Sequence, residues 1–250
     1  MLKVEGVGRQ FSPKFALRDI SFSIDEAEVV GLVGAGGSGK SLLLKILGGV
    51  IAPEVGSVEY PFENGNIGFL FQEGALFDSM TVIENVAFPL LQRAKRAERE
   101  MCYRKAYDML FSLGLSRATG KLPGELSGGM RRRVGIARAL VAEPKLVLLD
   151  DPTGGLDPVT ASVLMQLVKD LHKRYRPRIV MASHDIRRLI PNVDRIIAIF
   201  DGKLICNVRS VDILRDAPPR VIEFLKTRFC FSQQVANANG KLYHLQKGFL

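Results

Sequence analysis

The sequence predicts an α/β fold built on a mainly parallel β-sheet. Short apolar runs typical of buried strands alternate with segments of helical spacing. Examples are the strand-like runs at 29–33 and 145–150 and the helix predicted at 158–175. Helices that cover both faces of a parallel sheet leave its strands continuously apolar, and these runs have that character.

The remaining elements fit this class. Two strand-like runs at 2–4 and 20–24 flank a turn that contains Ser12-Pro13, and they predict two early strands. The segment after residue 41 predicts a helix that ends at Gly48-Gly49. Further strands are expected at 67–71, at 179–183 and at 195–200, the last being the final core strand.

The domain organisation has one insert and one extension. Between about 78 and 140 the apolar residues recur at helical spacing, which indicates a helical subdomain inserted into the domain at 1–217. A basic face follows this insert: Arg93, Lys95, Arg96, Arg99, Arg104 and Lys105. Residues 218–250 form a predicted C-terminal extension, whose segment PRVIEFLKTRF is typical of an amphipathic helix.

Composition limits the classes of function. With 250 residues and 47% hydrophobic residues the chain can bury a core, and no apolar run reaches the roughly 18 residues of a membrane span. No signal-peptide pattern opens the chain, and its three scattered cysteines fit a reducing compartment, so we expect a cytosolic protein. The net charge of +9 favours an anionic partner such as a nucleotide, a nucleic acid or a membrane surface, with solubility alone as the alternative.

The segment GAGGSGKS at 34–41 matches the phosphate-binding motif G-x-x-x-x-G-K-[ST]. Its glycines let backbone N–H groups face phosphate oxygens, and the following helix adds its positive end. We expect Lys40 to reach the β- and γ-phosphates and the Ser41 hydroxyl to bind Mg²⁺. Because the motif stands between a predicted strand and a predicted helix, it indicates a P-loop nucleoside triphosphatase.

Two further features narrow this class. Asp150 ends a predicted buried strand and fits the acid that holds Mg²⁺ through water. No N-K-x-D motif is present, which disfavours a GTPase. The segment LSGGM at 126–130 begins a helix with Ser127 at the cap, and its glycines leave first-turn N–H groups accessible to a second anion.

With these motifs in this order, residues 1–210 resemble the nucleotide-binding subunit of an ABC transporter. The resemblance implies a P-loop ABC ATPase core with a helical subdomain insert and a small β subdomain. It also implies a homodimer that encloses two ATP molecules, with each P-loop facing the signature helix, LSGGM, of the other subunit. ATP and Mg²⁺ are the implied cofactors, and an integral membrane permease is the implied partner.

The resemblance also implies a role for each motif residue. The ATP-binding residues would be an adenine-stacking aromatic and the P-loop: Phe11, Gly34, Ala35, Gly36, Gly37, Ser38, Gly39, Lys40, Ser41 and Leu42. The signature residues that contact the other subunit's ATP would be Ser127, Gly128 and Gly129. The Mg²⁺ ligands would be Ser41, Gln72 and Asp150. The catalytic set would be Asp151, His184 and Gln72, and Asp157 in the D-loop would link the two subunits.

One position departs from the family pattern. Active members usually carry glutamate after the Walker B aspartate, where it polarises the attacking water, whereas this chain has Asp151. Aspartate is shorter by roughly 1.5 Å, and a misplacement of about 1 Å can cost on the order of 10²-fold in rate. Three alternatives stay open: a compensating backbone shift with full activity, slow hydrolysis positioned by Gln72 and His184, or ATP binding with almost no cleavage.

A narrower resemblance concerns the cargo. Residues 70–82, 84–86, 128–130 and 219–225 are similar to the ATPases of Mla and other MCE-associated lipid transporters. This implies phospholipid transport between membranes, at the cytoplasmic face of the inner membrane. It also implies accessory lipid-binding MCE proteins, cytoplasmic regulatory proteins and no nucleic acid. The segment 75–77 lies where such a permease usually docks, with core packing as its alternative.

Several alternatives stay open. The cargo could instead be a lipoprotein or a small solute, and Asp151 could make the chain a slow nucleotide-gated module. A DNA-repair ATPase is disfavoured because no long coiled-coil heptads separate the two halves, and a translation factor because one cassette is present instead of two. The run Arg131-Arg132-Arg133 is either a solvated helix face or a contact to phosphates or permease.

Overall fold

The computed structural model describes residues 1–11, 14–63, 66–72 and 74–228, and two short strands near the C-terminus. The strands are β1 (Leu2–Phe11), β2 (Lys14–Ile24), β3 (Val29–Val33), β4 (Val55–Glu59), β5 (Ile67–Leu70), β6 (Leu146–Asp150), β7 (Arg178–Ala182), β8 (Arg195–Phe200), β9 (Lys203–Arg209), β10 (Val235–Ala236) and β11 (Leu242–Tyr243). The helices are α1 (Lys40–Leu47), α2 (Val82–Leu91), α3 (Arg99–Ser112), α4 (Gly128–Leu140), α5 (Pro158–Tyr175), α6 (Ile186–Leu189), α7 (Ile213–Asp216) and α8 (Pro219–Arg228). Two compact units are formed: unit 1 comprises Met1–Pro61 and Val180–Leu250, and unit 2 comprises Phe62–Ile179.

Unit 1 contains a three-stranded antiparallel sheet in the order β2-β1-β4. Leu2 pairs with Ile24 of β2, and Lys3 pairs with Glu59 of β4. This sheet corresponds to the small β subdomain that the sequence predicted. Its first two strands are longer than the predicted runs, β4 was not predicted, and the turn residues 12–13 lie outside the described part of the chain.

The other strands of unit 1 run in the order β7-β3-β8-β9. β3 is parallel to β8 and buried along its whole length, as the apolar run predicted. β9 returns antiparallel to β8 after Asp201 and Gly202, which both have positive φ. The prediction that residues 195–200 form the last core strand was wrong, because this Asp-Gly pair makes a two-residue hairpin turn.

Helix α8 packs against the β8–β9 region within unit 1. Val221 and Leu225 are buried, and the Phe224 ring meets the Phe200 ring edge-on, with centroids 5.1 Å apart. The Arg220 guanidinium also lies over the Phe200 ring, 5.0 Å from the ring centre. The amphipathic helix predicted in the tail is therefore confirmed.

Unit 2 holds β5, β6 and the first two residues of β7, together with α2, α3, α4 and α5. β5 is parallel to β6, with Ile67 opposite Leu146. A Cβ added at Gly68 would lie 1.9 Å from the Ala139 carbonyl oxygen, so only glycine lets α4 pack this closely on β5. The predicted helical insert contains α2, α3 and α4, while the domain limits at 1–217 and 218–250 stay predictions.

Among the described helices, none is both long and apolar enough to span a membrane.

Candidate functional site

The loop between β3 and α1 in unit 1 carries the phosphate-binding motif. Gly34 has a φ of 153°, and a Cβ there would lie 2.1 Å from the Ile199 carbonyl oxygen, so a side chain is excluded. Gly39, at the N-cap of α1, has a φ of 103° and permits the sharp entry into the helix. Gly36 and Gly37 are exposed, and no atom would approach an added Cβ within 4 Å. The loop therefore offers open backbone to a ligand.

Lys40 closes this loop on itself. Its Nζ donates to the carbonyl oxygens of Gly34 at 2.9 Å and Ala35 at 2.8 Å, and lies 3.4 Å from the Ser38 hydroxyl. Lys40 and Ser38 are both buried, whereas Ser41 in the first turn of α1 is half-buried. Because the ammonium draws the chain around itself, the positive charge and the first-turn N–H groups of α1 lie beside the exposed glycines.

Two further predicted residues belong to unit 1. His184 is exposed and follows Ser183, which is buried and whose hydroxyl accepts a hydrogen bond from the Asp185 amide at 3.0 Å. Asp185 in turn caps α6 by accepting from the Arg188 amide. Phe11 ends β1 opposite Lys14, and its side chain lies outside the described part of the chain.

The two aspartates follow β6 in unit 2. Asp150 is buried at the end of an entirely buried strand. Asp151 is half-buried and has a φ of 46°, in the left-handed region that non-glycine residues rarely adopt. Its carbonyl accepts from the Gly154 amide at 3.1 Å, and a Cβ at Gly154 would lie 2.4 Å from its Oδ2. The Asp151 carboxylate therefore lies against the Gly154 backbone, which only glycine leaves free.

The signature segment caps α4 as predicted. The Ser127 hydroxyl accepts from the Met130 amide at 3.3 Å, and Ser127 and Gly128 are exposed. A Cβ at Gly129 would lie 2.8 Å from Cγ2 of Thr160, so glycine is required at this contact with α5. The exposed cap leaves the positive end of α4 open to an anion.

The arginines of α4 bind backbone carbonyls of their own unit. Arg131 donates to Leu126, and Arg133 donates to Leu113 at 3.0 Å. Arg132 donates to the carbonyls of Phe71 and Gly154, both at 3.4 Å. The interpretation of this run as a solvated face was wrong for Arg132 and Arg133, which are half-buried.

Gln72 and Asp157 also lie in unit 2. Gln72 is exposed directly after Phe71, whose ring stacks on Phe69 with centroids 4.1 Å apart. Asp157 caps α5, and its Oδ1 accepts from the amides of Val159 and Thr160, both at 3.0 Å. Hydrogen bonds from Thr160, first from its side chain and then from its amide, lower the pKa of Asp157. Its observed role is to cap a helix, and a link between subunits stays a proposal.

The loop at 74–80 is held by two residues that sequence analysis missed. Asn85 is fully buried, and it accepts from the Phe77 amide and donates to the carbonyls of Phe77, Met80 and Thr81. Arg138 is buried and donates to the carbonyls of Gly74 at 2.9 Å and Ala75 at 2.8 Å. Burial lowers the pKa of the Arg138 guanidinium, since it removes water from the charge. The signal available in the sequence was a polar residue that interrupts an apolar helical pattern, Asn85 in α2 and Arg138 in α4.

Phe77 is displayed by this loop and is 40% exposed. Its ring contacts Phe88 at 4.8 Å between centroids and lies under the Arg138 guanidinium at 5.5 Å. Ala75 is also exposed, and Leu76 is half-buried. Core packing, one of the alternatives for 75–77, is therefore wrong for Ala75 and Phe77.

The residues present fit ATP and Mg²⁺. The exposed glycines, Lys40 and the N-terminus of α1 supply the donors that phosphate oxygens require. Ser41 and Asp150 carry oxygen atoms of the kind that bind Mg²⁺ together with substrate phosphates. Within the described residues, no three His, Cys, Asp or Glu side chains are grouped to hold a metal ion by themselves.

Comparison with known proteins defines the class. Residues 17–154 match the ABC transporter family. The chain is 32% identical over 252 residues to protein Trigalactosyldiacylglycerol 3, chloroplastic, of Arabidopsis thaliana, covering 90% of this chain and 73% of that protein. It is 34% identical over 255 residues to the sulfate/thiosulfate import ATP-binding protein CysA 2 of Rhizobium meliloti, covering 97% of this chain and 69% of that protein.

A solved structure agrees with these relatives. The ATP-binding cassette MJ0796, in a dimeric post-hydrolysis state bound to ADP and Pi, has a TM-score of 0.75 and 32% identity, covering 84% of this chain and 99% of that chain. The chain belongs to the ABC transporter family. It is an ATP-binding subunit that binds ATP with Mg²⁺ and hydrolyses it to drive transport.

Proposed function

We propose that this chain powers the transport of phospholipid between membranes, as a homodimer bound to an integral membrane permease. The cargo proposal rests on the resemblance of residues 70–82 and 84–86 to ATPases of MCE-associated lipid transporters. A relative 32% identical to the chain bears the name of a galactolipid, which supports the same cargo class. The proposed location is the cytoplasmic face of the inner membrane, with MCE proteins and cytoplasmic regulatory proteins as accessory partners and no nucleic acid.

The exposed cap of α4 supports the dimer. Ser127 and Gly128 leave the first-turn N–H groups of this helix open, and a related cassette forms a dimer with ADP and Pi bound. In the proposed dimer, Ser127, Gly128 and Gly129 of each subunit contact the γ-phosphate bound at the other subunit's P-loop. Dipoles aimed at the developing charge stabilise it without reorganisation. Asp157 links the two subunits in this arrangement.

The loop at 74–80 supports the permease contact. Its backbone is bonded to Asn85 and Arg138, so the exposed Phe77 ring is held before a partner arrives. A rigid aromatic anchor loses little conformational freedom on binding, which favours its use in an interface. The proposed occupant is a short apolar segment of the permease.

The chemistry is proposed to use each motif residue in one role. Phe11 stacks on adenine, and residues 34–42, with Lys40 foremost, hold the phosphates. Ser41, Asp150 and Gln72 would hold Mg²⁺, which would supply positive charge beside the phosphate oxygens. Asp151 accepts a hydrogen bond from the attacking water, so that a lone pair of the water oxygen faces the γ-phosphate. Gln72 and His184 complete the positioning of this water.

A second candidate cargo is a small anion. The 34% identical relative is named a sulfate/thiosulfate import ATP-binding protein. The resemblance to the family implies that cargo does not touch the ATPase subunit. The two candidates therefore differ in the proteins that bind the chain and not in the site chemistry.

One experiment separates them. The chain would be purified with its membrane partners in mild detergent and reconstituted into vesicles, alongside an Asp151→Asn variant. We expect ATP-dependent transfer of fluorescent phospholipid to acceptor vesicles with the natural chain and none with Asp151→Asn. ATP-dependent sulfate uptake without lipid transfer would establish the second candidate. Equal rates of ATP hydrolysis by the natural chain and by Asp151→Asn would show that Asp151 takes no part in the reaction.

A further inference from the structure

Arg132 joins two loops of unit 2 that carry predicted catalytic residues. Its Nη1 donates to the carbonyl of Phe71 and its Nη2 to the carbonyl of Gly154, both at 3.4 Å. Phe71 directly precedes Gln72, and Gly154 ends the turn that Asp151 begins. One guanidinium therefore spans the loop of Gln72 and the loop of Asp151.

The guanidinium suits this task because it is planar and its donors are fixed relative to one another. When Nη1 and Nη2 each hold a carbonyl, the spacing between those carbonyls is set by the geometry of one rigid group. Arg132 is half-buried, which shields both hydrogen bonds from water. Its position on α4 places this link three residues after the signature glycine Gly129.

The Asp151 turn depends on such support. Asp151 holds a left-handed φ of 46°, a conformation that persists only where the surroundings enforce it. Its carboxylate lies against Gly154, so a shift of the Gly154 backbone displaces the carboxylate as well. Aspartate has one side-chain torsion fewer than glutamate, and its carboxylate therefore follows the backbone more closely.

We propose that Arg132 is a positioning residue for hydrolysis, which fixes the Asp151 carboxylate relative to Gln72 through the carbonyls of Gly154 and Phe71. This inference rests on the proposed role of Asp151. It accounts for how a shortened acid keeps its place: the side chain of Arg132 holds the backbone from which that acid projects.

The test compares Arg132→Gln and Arg132→Lys with Arg133→Gln. Arg133 is the matched control because it lies on the same helix, is also half-buried and donates to one carbonyl, that of Leu113. Hydrolysis would be measured on the chain purified with its membrane partners. We expect Arg132→Gln to lower kcat on the order of 10-fold to 10²-fold while KM for ATP changes by no more than about twofold. The kcat of Arg132→Lys should lie between those of Arg132→Gln and the natural chain, because one ammonium group cannot hold both carbonyls in the geometry of a guanidinium. Arg133→Gln should have the kcat of the natural chain.

Two readouts separate positioning from general damage. Amide hydrogen exchange at Gly154 and Leu156 should be faster in Arg132→Gln than in the natural chain and unchanged in Arg133→Gln, without any nucleotide added. The residual slow hydrolysis of Asp151→Asn, measured with excess protein over long incubation, should not fall further when Arg132→Gln is added, because two residues that act as a unit are not additive.

The outcomes distinguish this inference from the proposed function. If Asp151→Asn hydrolyses ATP as fast as the natural chain, the role of Asp151 fails. If Asp151→Asn is inactive while Arg132→Gln keeps both kcat and amide exchange, the positioning role of Arg132 is overturned and the role of Asp151 stands. Should Arg132→Gln not fold, Arg132→Lys decides, and unchanged kcat and exchange in that variant overturn the inference.

Discussion

The P-loop of unit 1 and the Asp151 turn of unit 2 are both irregular, but they are held in different ways. The P-loop is closed by Lys40, whose partners lie two, five and six residues before it. The Asp151 turn is held by Arg132, 22 residues from Gly154, and the same side chain reaches 61 residues back to Phe71. The side chain that closes the P-loop is thus local, whereas the side chain that joins the Asp151 turn to Phe71 comes from a distant helix.

This difference affects how each loop tolerates change. The bonds from Lys40 to Gly34, Ala35 and Ser38 form wherever these few residues are preserved, because these partners are close neighbours along the chain. A loop held by a distant arginine changes when that helix moves, so it is able to respond to contacts made elsewhere in unit 2. The positioning role proposed for Arg132 belongs to this second kind of support.

The largest effect is expected from Lys40→Ala, which removes the group that closes the local loop. The carbonyls of Gly34 and Ala35 lose their partner, and the phosphates lose a buried positive charge. We expect ATP hydrolysis to fall by about 10²-fold or more, with weakened binding of a fluorescent ATP analogue. Lys45→Ala, in the last turn of the same helix, is the control and should hydrolyse ATP normally. Retained binding and turnover in Lys40→Ala would refute this account of the loop.

A smaller effect is expected from Arg138→Gln, which breaks a distant support of the 74–80 loop. Two charge-assisted hydrogen bonds to Gly74 and Ala75 are lost inside the protein. We expect the free energy of unfolding to fall by about 1–3 kcal/mol in urea titrations. Arg131→Gln removes an exposed arginine of the same helix and should change the free energy of unfolding by no more than about 0.5 kcal/mol. Equal losses in the two variants would mean that the 74–80 loop does not depend on this contact.

The smallest effect is expected at Asp157, where a local cap is made by a titratable side chain. The pKa of Asp157 is lower in the folded chain than in the unfolded chain, where it is about 3.9. The stabilisation by this cap is therefore fully present at pH values above the unfolded-state pKa, and it is lost as the pH falls through the folded-state pKa. Asp157→Asn keeps a good cap but does not titrate. Unfolding in urea from about pH 5 downward should therefore show a shallower decline for Asp157→Asn than for the natural chain. Parallel declines would contradict the lowered pKa.

Much of the fold followed from apolar patterning. β3, α5 and β8 have the bounds that their sequence runs predicted, because buried strands and amphipathic helices are set by burial along their own length. β4 was missed, since its residues are mostly exposed and carry no apolar run. β9 was also missed, although Asp201-Gly202 is a hairpin signal that was available in the sequence.

The sequence by itself determined the P-loop and the helix cap at Ser127, because their hydrogen bonds join residues no more than six positions apart. The cap at Asp157 is equally local, but the sequence analysis assigned that residue a link between subunits. Only the tertiary structure decided where Arg132 and Arg138 donate. Their acceptors are backbone carbonyls 22 to 64 residues away, and a carbonyl has no side-chain identity that a sequence pattern could reveal. Packing of α4 against the rest of unit 2 selects those acceptors and, with them, the position of the Asp151 carboxylate.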